Sequence, residues 1–155
     1  MSKGKLVLLA CLIIPLTFLL SGCSTLSTGI NATIEYSTYE TTSLGPDPIH
    51  EAEEDKKFVV LQMEITNTSS TEEFPIHRMY FYLLTEDQRF MAYYDADMPD
   101  IRYPIDNNSE VNPGGTVKQT TLFHVPESLE DYDFEYDYDP PVDTTVDWVE
   151  TDLSW

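Results

Sequence analysis

Residues 56–70 constrain the fold most, because apolar and polar residues alternate along them. Val59, Leu61, Met63 and Ile65 occupy alternate positions, and polar residues stand between the last three of them. Successive side chains of a β-strand point to opposite faces of a sheet. The pattern therefore predicts a strand with one buried and one solvated face. We expect the apolar face to form the centre of the hydrophobic core.

The same periodicity predicts further strands along the chain. Residues 77–85 are apolar on both faces, which is typical of a central strand, and residues 89–94 are expected to return from it as a hairpin. No segment shows convincing helical periodicity, and the sequence contains no repeat. With residues 56–67, the predicted strands are 30–36, 77–85, 89–94, 116–125, 131–139 and 144–155. About seven short strands with polar turns predict an all-β fold, an antiparallel β-sandwich.

Polar, proline-containing segments separate these strands. Residues 40–55 include Pro46 and Pro48 and are expected to form a solvated loop. Residues 95–110 carry two prolines and five acidic side chains and are expected to be irregular. Residues 112–115, with the sequence Asn-Pro-Gly-Gly, predict a sharp turn, because proline fixes φ and glycine adopts positive φ without strain.

The charge balance limits the possible partners. The chain has 28 acidic and eight basic residues, giving a formal net charge of −20. Nucleic acid and anionic lipid surfaces would both be repelled. Self-repulsion of so acidic a domain is relieved by salt or by bound cations. A saline habitat and cation binding are therefore both compatible with the composition.

The N-terminal segment has the pattern of a secretory signal. Lys3 and Lys5 precede an uncharged apolar run at residues 6–20, and small residues follow it. As a helix the run would be about 22 Å long. A membrane span needs about 20 residues, and Pro15 further disfavours an uninterrupted helix. We therefore predict export of the protein through the general secretory route.

The sequence Leu20-Ser21-Gly22-Cys23 resembles the lipobox of prokaryotic lipoproteins. The resemblance implies that the thiol of Cys23 receives a diacylglyceryl group and that the signal peptide is cut just before it. Two acyl chains give stable membrane attachment. The residue after the cysteine is a serine rather than an aspartate, which would permit sorting to the outer membrane in a Gram-negative cell.

The predicted organisation has three parts. Residues 1–22 form a lipoprotein signal peptide, residues 23–29 the lipidated cysteine and a flexible tether, and residues 30–155 the β-sandwich domain. Cleavage removes Cys11, so the mature chain has one cysteine and no internal disulfide. It keeps six basic and 28 acidic residues, a net charge of −22. The lipid on Cys23 would then attach a domain that a negatively charged membrane surface repels.

Three motifs resemble the DUF4352 family of extracellular immunoglobulin-like domains. They are KKFVVLQMEITNTSS at 56–70, VNPGGTV at 111–117 and FHVPES at 123–128. The resemblance spans roughly residues 58–138 and implies an immunoglobulin-like sandwich. Members of the family are commonly lipoproteins or secreted proteins. The family pattern defines no catalytic residues, so none is carried over.

Two acidic groups are candidate cation sites. Asp95, Asp97, Asp100 and Asp106 lie in the irregular segment, where a loop can gather several carboxylates around one Ca²⁺. A solvated loop explains the same residues. Alternate acidic residues also line one face of the strand at 131–139, opposite aromatic ones. They are Asp131, Asp133, Glu135, Asp137 and Asp139, and they form either a solvent-facing row or a weak divalent-cation surface.

Other chemistry is weakly indicated. His77 and Met79 share a predicted strand face, and Met63 lies on a neighbouring strand, a set that could bind Cu(I) or simply fill the core. We find no Ser-His-Asp arrangement, phosphate-binding loop, CxxC or HExxH motif. We therefore expect a lipid-anchored binding or structural module rather than an enzyme, contacting an envelope protein or an extracellular ligand. A calcium-binding envelope lipoprotein is the alternative.

Overall fold

The computed structural model describes residues 29–45, 49–93, 104–105, 109–138 and 143–153. Nearly all regular structure in these residues is β-strand, which confirms the predicted all-β sandwich. One 3-10 turn, Arg78–Tyr80, accompanies the strands. No helix among the described residues has the length and apolar character of a membrane span. The strands are β1 (Ile30–Thr41), β2 (Ser43–Leu44), β3 (His50–Glu51), β4 (Lys56–Asn67), β5 (Phe74–Ile76), β6 (Phe81–Leu84), β7 (Arg89–Met91), β8 (Ser109–Val111), β9 (Thr116–Pro126), β10 (Asp133–Tyr136) and β11 (Thr144–Glu150).

Two main sheets build the sandwich. The larger has the strand order β11-β1-β4-β9 and the smaller the order β10-β6-β7, while β2–β3 and β5–β8 form short ladders. All pairs are antiparallel except β1 and β11, which are parallel with Ile30 opposite Thr144. This pair is the one departure among the described strands from the antiparallel pairing of the predicted sandwich. The chain enters β11 from β10 in the other sheet, so no hairpin dictates the direction of the last strand.

The core lies between the two sheets, as the alternation along β4 predicts. Val59, Leu61, Met63 and Ile65 are fully buried on the inner face of the larger sheet. Phe81 and Leu83 of β6 are equally buried on the facing sheet. Because every second residue of a strand points to the same face, Gln62, Glu64 and Thr66 of β4 face outward.

A smaller apolar cluster covers the outer face of the larger sheet at one end. Phe58 and Val60 of β4 pack there with Leu122 of β9. Leu44 and Ala52 from the β2–β3 region lie over them. Residues 40–55 are therefore not simply a solvated loop. Most of this segment is a short paired flap that shields the first half of β4 from water.

The central strand predicted at 77–85 is shorter than its apolar run. The Nδ1 atom of His77 accepts a hydrogen bond from the backbone N–H of Met79, which stabilises the 3-10 turn before β6. Only Phe81–Leu84 is strand, although it is central in its sheet as expected. The short strands β5 and β8 pair across a separation of more than thirty residues. Segments of three residues are too short to show a period.

Asn67 joins four parts of the chain at the end of β4. Its fully buried side chain donates hydrogen bonds to the carbonyl oxygens of Glu72 (2.8 Å) and Val111 (2.7 Å), and its Oδ1 accepts one from the Ser69 N–H. Its backbone pairs with the predicted turn at 112–115 through Gly114 and Gly115. Gly114 has a φ of 73°, which favours glycine there.

Ser69 extends this connection to β1. Its Oγ accepts a hydrogen bond from the Asn31 N–H (2.7 Å) and donates one to the Asn31 carbonyl (3.2 Å). The Asn67-Thr68-Ser69 turn therefore fixes the end of β4 to the start of β1 and to the turn before β9. The polar residues here are structural, because they satisfy backbone groups that are closed off from water.

Replacing Asn67 by alanine should destabilise the domain by about 2–4 kcal/mol, because buried backbone groups would lose their partners. The measurement is the free energy of unfolding from urea denaturation. Thr68→Ala changes an exposed residue of the same turn and should alter stability by less than about 0.5 kcal/mol. Equal effects of the two substitutions would contradict this account of the turn.

Candidate functional site

Several of the residues predicted from sequence to carry a site, including Asp139 of the acidic row, lie outside the described part of the chain. The others are the lipidation candidate Cys23 and the calcium candidates Asp95, Asp97, Asp100 and Asp106. Their described neighbours are nevertheless informative. The Tyr93 N–H donates to the Leu122 carbonyl (2.7 Å), and the Ile105 N–H donates to the Thr120 carbonyl (3.3 Å). The chain thus leaves and rejoins β9 at points about 7 Å apart.

The acidic row on β10 is partly neutralised by an arginine. Arg89 on β7 lies 2.8 Å from a carboxylate oxygen of Glu135 and 2.5 Å from one of Asp137. Its guanidinium carbon lies 3.5 Å from the centre of the Tyr82 ring. The opposite face of the strand is aromatic, as predicted, and Phe134 and Tyr136 pack on the core. An intramolecular cation therefore occupies the position where a bridging metal ion would compensate these two carboxylates.

The copper candidates are not grouped as a ligand set. Met63 is fully buried between the sheets, whereas half of the Met79 side chain is exposed. The Nδ1 of His77 is used by the Met79 N–H. Met63 therefore fills the core, the more common role of methionine in a strand.

A polar cleft lies beside the β5–β8 ladder. Its volume is about 430 Å³. Glu73 and Glu110 meet in it, and their mutual hydrogen bond raises the pKa of Glu73. The lining residues are Ile30, Thr71, Glu72, Glu73, Pro75, Glu110, Pro113 and Tyr138.

Aromatic residues form a second wall next to this cleft. The Tyr138 ring packs edge-on against Tyr80, with centroids 4.9 Å apart. Tyr136 stacks on Phe74 at 4.7 Å and donates a hydrogen bond from its hydroxyl to the Pro75 carbonyl (2.5 Å). Burial raises the pKa of Tyr136, so its hydroxyl stays a donor. Carboxylates beside an aromatic face attract positively charged groups.

A lysine is buried at the opposite end of β4. The Nζ of Lys57 donates hydrogen bonds to Glu40 (2.7 Å) and to the Leu129 carbonyl (2.5 Å). The Tyr132 hydroxyl also donates to Glu40. The ammonium group of Lys57 is therefore paired with a carboxylate. Through Leu129 it also holds the segment after β9 against the end of β1. We assign it a structural role, because a buried ammonium needs such partners to remain charged.

The described residues contain no group of three histidine, cysteine, aspartate or glutamate side chains placed to hold a metal ion. The local sequence gave no signal for the pairs Glu73–Glu110 and Arg89–Glu135. Each pair is formed by strands that are distant along the chain, β5 with β8 in one case and β7 beside β6–β10 in the other.

His124 on β9 lies among aromatic side chains. Its ring stacks on Phe58 at 4.9 Å and packs against Tyr93 at 5.1 Å. Its Nε2 accepts a hydrogen bond from the Glu53 N–H (3.4 Å). Burial lowers the pKa of His124, and the nearby positive charge of Lys56 lowers it further, although Glu53 opposes this.

The domain should lose stability as pH falls below the ordinary histidine pKa of about 6.5. A group with a lowered pKa in the folded state stabilises that state above its unfolded pKa, and this contribution disappears as pH falls through the folded pKa. The measurement is the urea midpoint between pH 7.5 and 5. Because glutamine does not titrate, the difference between the wild type and His124→Gln should shrink on acidification. A difference that is constant with pH would contradict the assignment.

Comparison with known proteins agrees with the resemblance seen in the motifs. Residues 26–146 match the family model described as a domain of unknown function, DUF4352. Neither the curated proteins nor the solved structures include a significant match to the chain. The matched region runs from just before β1 into β11 and includes the Asn67 turn, the turn before β9 and the end of β9. The chain belongs to the DUF4352 family.

Proposed function

We propose that the protein is a lipoprotein whose extracytoplasmic DUF4352 domain is a binding or structural module of the cell envelope, without catalytic activity of its own. The lipid on Cys23 would hold it on the outer face of a membrane. The observation that carries the proposal is the sequence Leu20-Ser21-Gly22-Cys23 directly after an apolar run of signal-peptide length.

The position of the domain relative to Cys23 supports this proposal. The first strand begins at Ile30, only seven residues after the cysteine. A tether of that length spans at most about 25 Å when extended. The domain would thus stay close to the membrane surface, while its acidity would oppose direct contact with anionic lipid. Such a module is placed to meet other proteins of the envelope.

Replacing Cys23 by serine should abolish acylation of the protein in cells of its own kind. Wild-type protein should carry a diacylglyceryl group on an N-terminal Cys23. The variant should lack the lipid and either leave the membrane fraction or keep its signal peptide. Mass spectrometry of the intact protein detects the lipid and the signal peptide, and cell fractionation shows whether the protein is in the membrane. Cys11→Ser alters the other cysteine of the chain and should leave acylation unchanged. An unacylated wild-type protein would refute the proposal.

Calcium binding by the 94–106 segment is the second candidate function. What favours it is that Tyr93 and Ile105, which flank residues 94–104, both hydrogen bond to β9 within two residues of each other. Asp95, Asp97 and Asp100 would then be carried on a closed connection, and Asp106 would follow directly after it. Closing a loop reduces the conformational freedom that ligand binding would otherwise have to remove.

Millimolar Ca²⁺ should raise the melting temperature if this second function is correct, since a ligand that binds only the folded state stabilises it. The variant with Asn at positions 95, 97, 100 and 106 should lose the rise. NaCl at matched ionic strength is the control, because salt screens the acidic surface without coordination. The same rise in NaCl, or in the variant, would exclude a calcium site in this segment.

A further inference from the structure

The two edges of the larger sheet differ. On β9, the backbone of Tyr93 and Ile105 caps the edge by hydrogen bonds to Leu122 and Thr120, and Pro104 bridges to Thr120. On β11, no strand among the described residues pairs with the side opposite β1. One end of the sheet is therefore covered by its own chain, whereas at the other end no described strand covers the side of β11 that faces away from β1.

The register shows which backbone groups of β11 face outward. The Asp143 carbonyl accepts from the Ile30 N–H (2.9 Å), and the Thr151 N–H donates to the Tyr36 carbonyl (2.7 Å). The N–H and C=O of one strand residue point to the same side, and the side alternates along the strand. Odd-numbered residues of β11 therefore face β1. The N–H and C=O groups of Val146, Trp148 and Glu150 point away from the sheet.

This edge lacks the usual features that prevent strand addition. Edges are commonly protected by proline, lysine or a bulge, and residues 144–150 contain neither proline nor lysine and pair with β1 in continuous register. Four of the seven residues are β-branched, which favours extended structure. The charged side chains of the edge are Asp147 and Glu150.

Charge determines what can pair with β11. No lysine or arginine follows Lys118, and residues 119–155 include eleven acidic residues. Asp143, Asp147, Glu150 and Asp152 are all exposed along or beside the edge. Two copies of this edge would place carboxylates opposite carboxylates, which is unfavourable for cross-strand pairs. A strand that carries lysine or arginine would instead meet opposite charges.

The inner face of the edge can accept apolar side chains. Trp148 is only partly buried, and its ring lies 5.7 Å from Tyr36 and 6.0 Å from Phe134. A further strand beside β11 would place alternate side chains next to Trp148 at the rim of the core. Its other side chains would lie beside Asp147 on the outer face. The edge therefore fits a segment with alternating apolar and basic residues.

We propose that β11 binds an extended, lysine- or arginine-rich segment of a partner protein as a fifth strand of the larger sheet. Main-chain hydrogen bonds to Val146, Trp148 and Glu150 would hold the segment, and the acidic side chains would select its charge. This inference rests on the proposed function only in taking the domain to be a binding module. It does not depend on the lipid.

The test uses the full chain purified in a non-ionic detergent and a short capped peptide of alternating lysine and valine. Binding should slow hydrogen exchange at the Val146, Trp148 and Glu150 amides, which β1 does not protect, and change Trp148 fluorescence. Two further peptides are N-methylated at every lysine or at every valine. Because a strand pairs through one set of alternate residues, one of them should bind and the other should not.

Two variants at one position separate the backbone contribution from the charge. Glu150→Gln removes the carboxylate and keeps the outward N–H, whereas Glu150→Pro removes both. The proline variant should bind the peptide roughly two- to tenfold more weakly than the glutamine variant, the cost of one hydrogen bond. An unchanged amide exchange pattern in the peptide-free variants shows that both are folded.

Several results would overturn the proposal. Equal binding of both methylated peptides would show charge attraction without strand pairing. The proposal would be refuted if the basic peptide did not bind, or if it protected amides outside β11. It would also be refuted if an alternating glutamate–valine peptide bound equally tightly, or if the protein formed a dimer through β11. The mass of the protein in the same preparation shows whether Cys23 is acylated. A failure of the peptide to bind can therefore be distinguished from a failure of the proposed lipid anchor.

Discussion

The buried amide of Asn67 is the interaction on which the arrangement of this domain depends. One side chain satisfies backbone groups from the segment before β5, from β8 and from its own turn, and Ser69 adds the start of β1. Such groups would be costly to bury without partners. The Asn-x-Ser turn and the Pro-Gly turn, which carry the family resemblance, are in contact in the structure. These two turns therefore have a structural role in this chain: they hold the central strand β4 between its neighbours. They do not identify a ligand.

Electrostatics shapes the surface around this frame. A chain with a net charge of −20 has few cations to distribute, and the structure pairs two of them with acidic groups at critical places. Arg89 bridges two carboxylates of the β10 row, and Lys57 is buried against Glu40. The sides that these cations do not reach, the Glu73–Glu110 cleft and the β11 edge, remain strongly acidic. The negative potential of these sides would attract positively charged groups.

Whether a strand could be predicted from the sequence depended on its length. Strand β4 could be predicted because twelve residues repeat the alternation often enough to define a face. Strands β5 and β8 could not, because three residues contain no measurable period, and their pairing depends on contacts across the fold. The apolar run at 77–85 predicts one continuous strand, but only Phe81–Leu84 is strand. Locally, the His77 hydrogen bond to Met79 outweighs the β-propensity of the first residues, and the chain turns before β6.

The sequence by itself determined that the domain is a β-sandwich with its core on one face of β4, since side-chain alternation directly encodes which face is buried. It also provided the lipobox-like sequence before Cys23 and the acidity, which are properties of composition and order. Only the tertiary structure decided that β11 runs parallel to β1, that Glu73 meets Glu110, and that one edge of the larger sheet is capped while no described strand covers the other. These features arise from pairings between segments far apart in the chain. Local patterns carry no information about which distant strand will supply a partner, because the free energy of pairing is gained only when the whole sheet assembles.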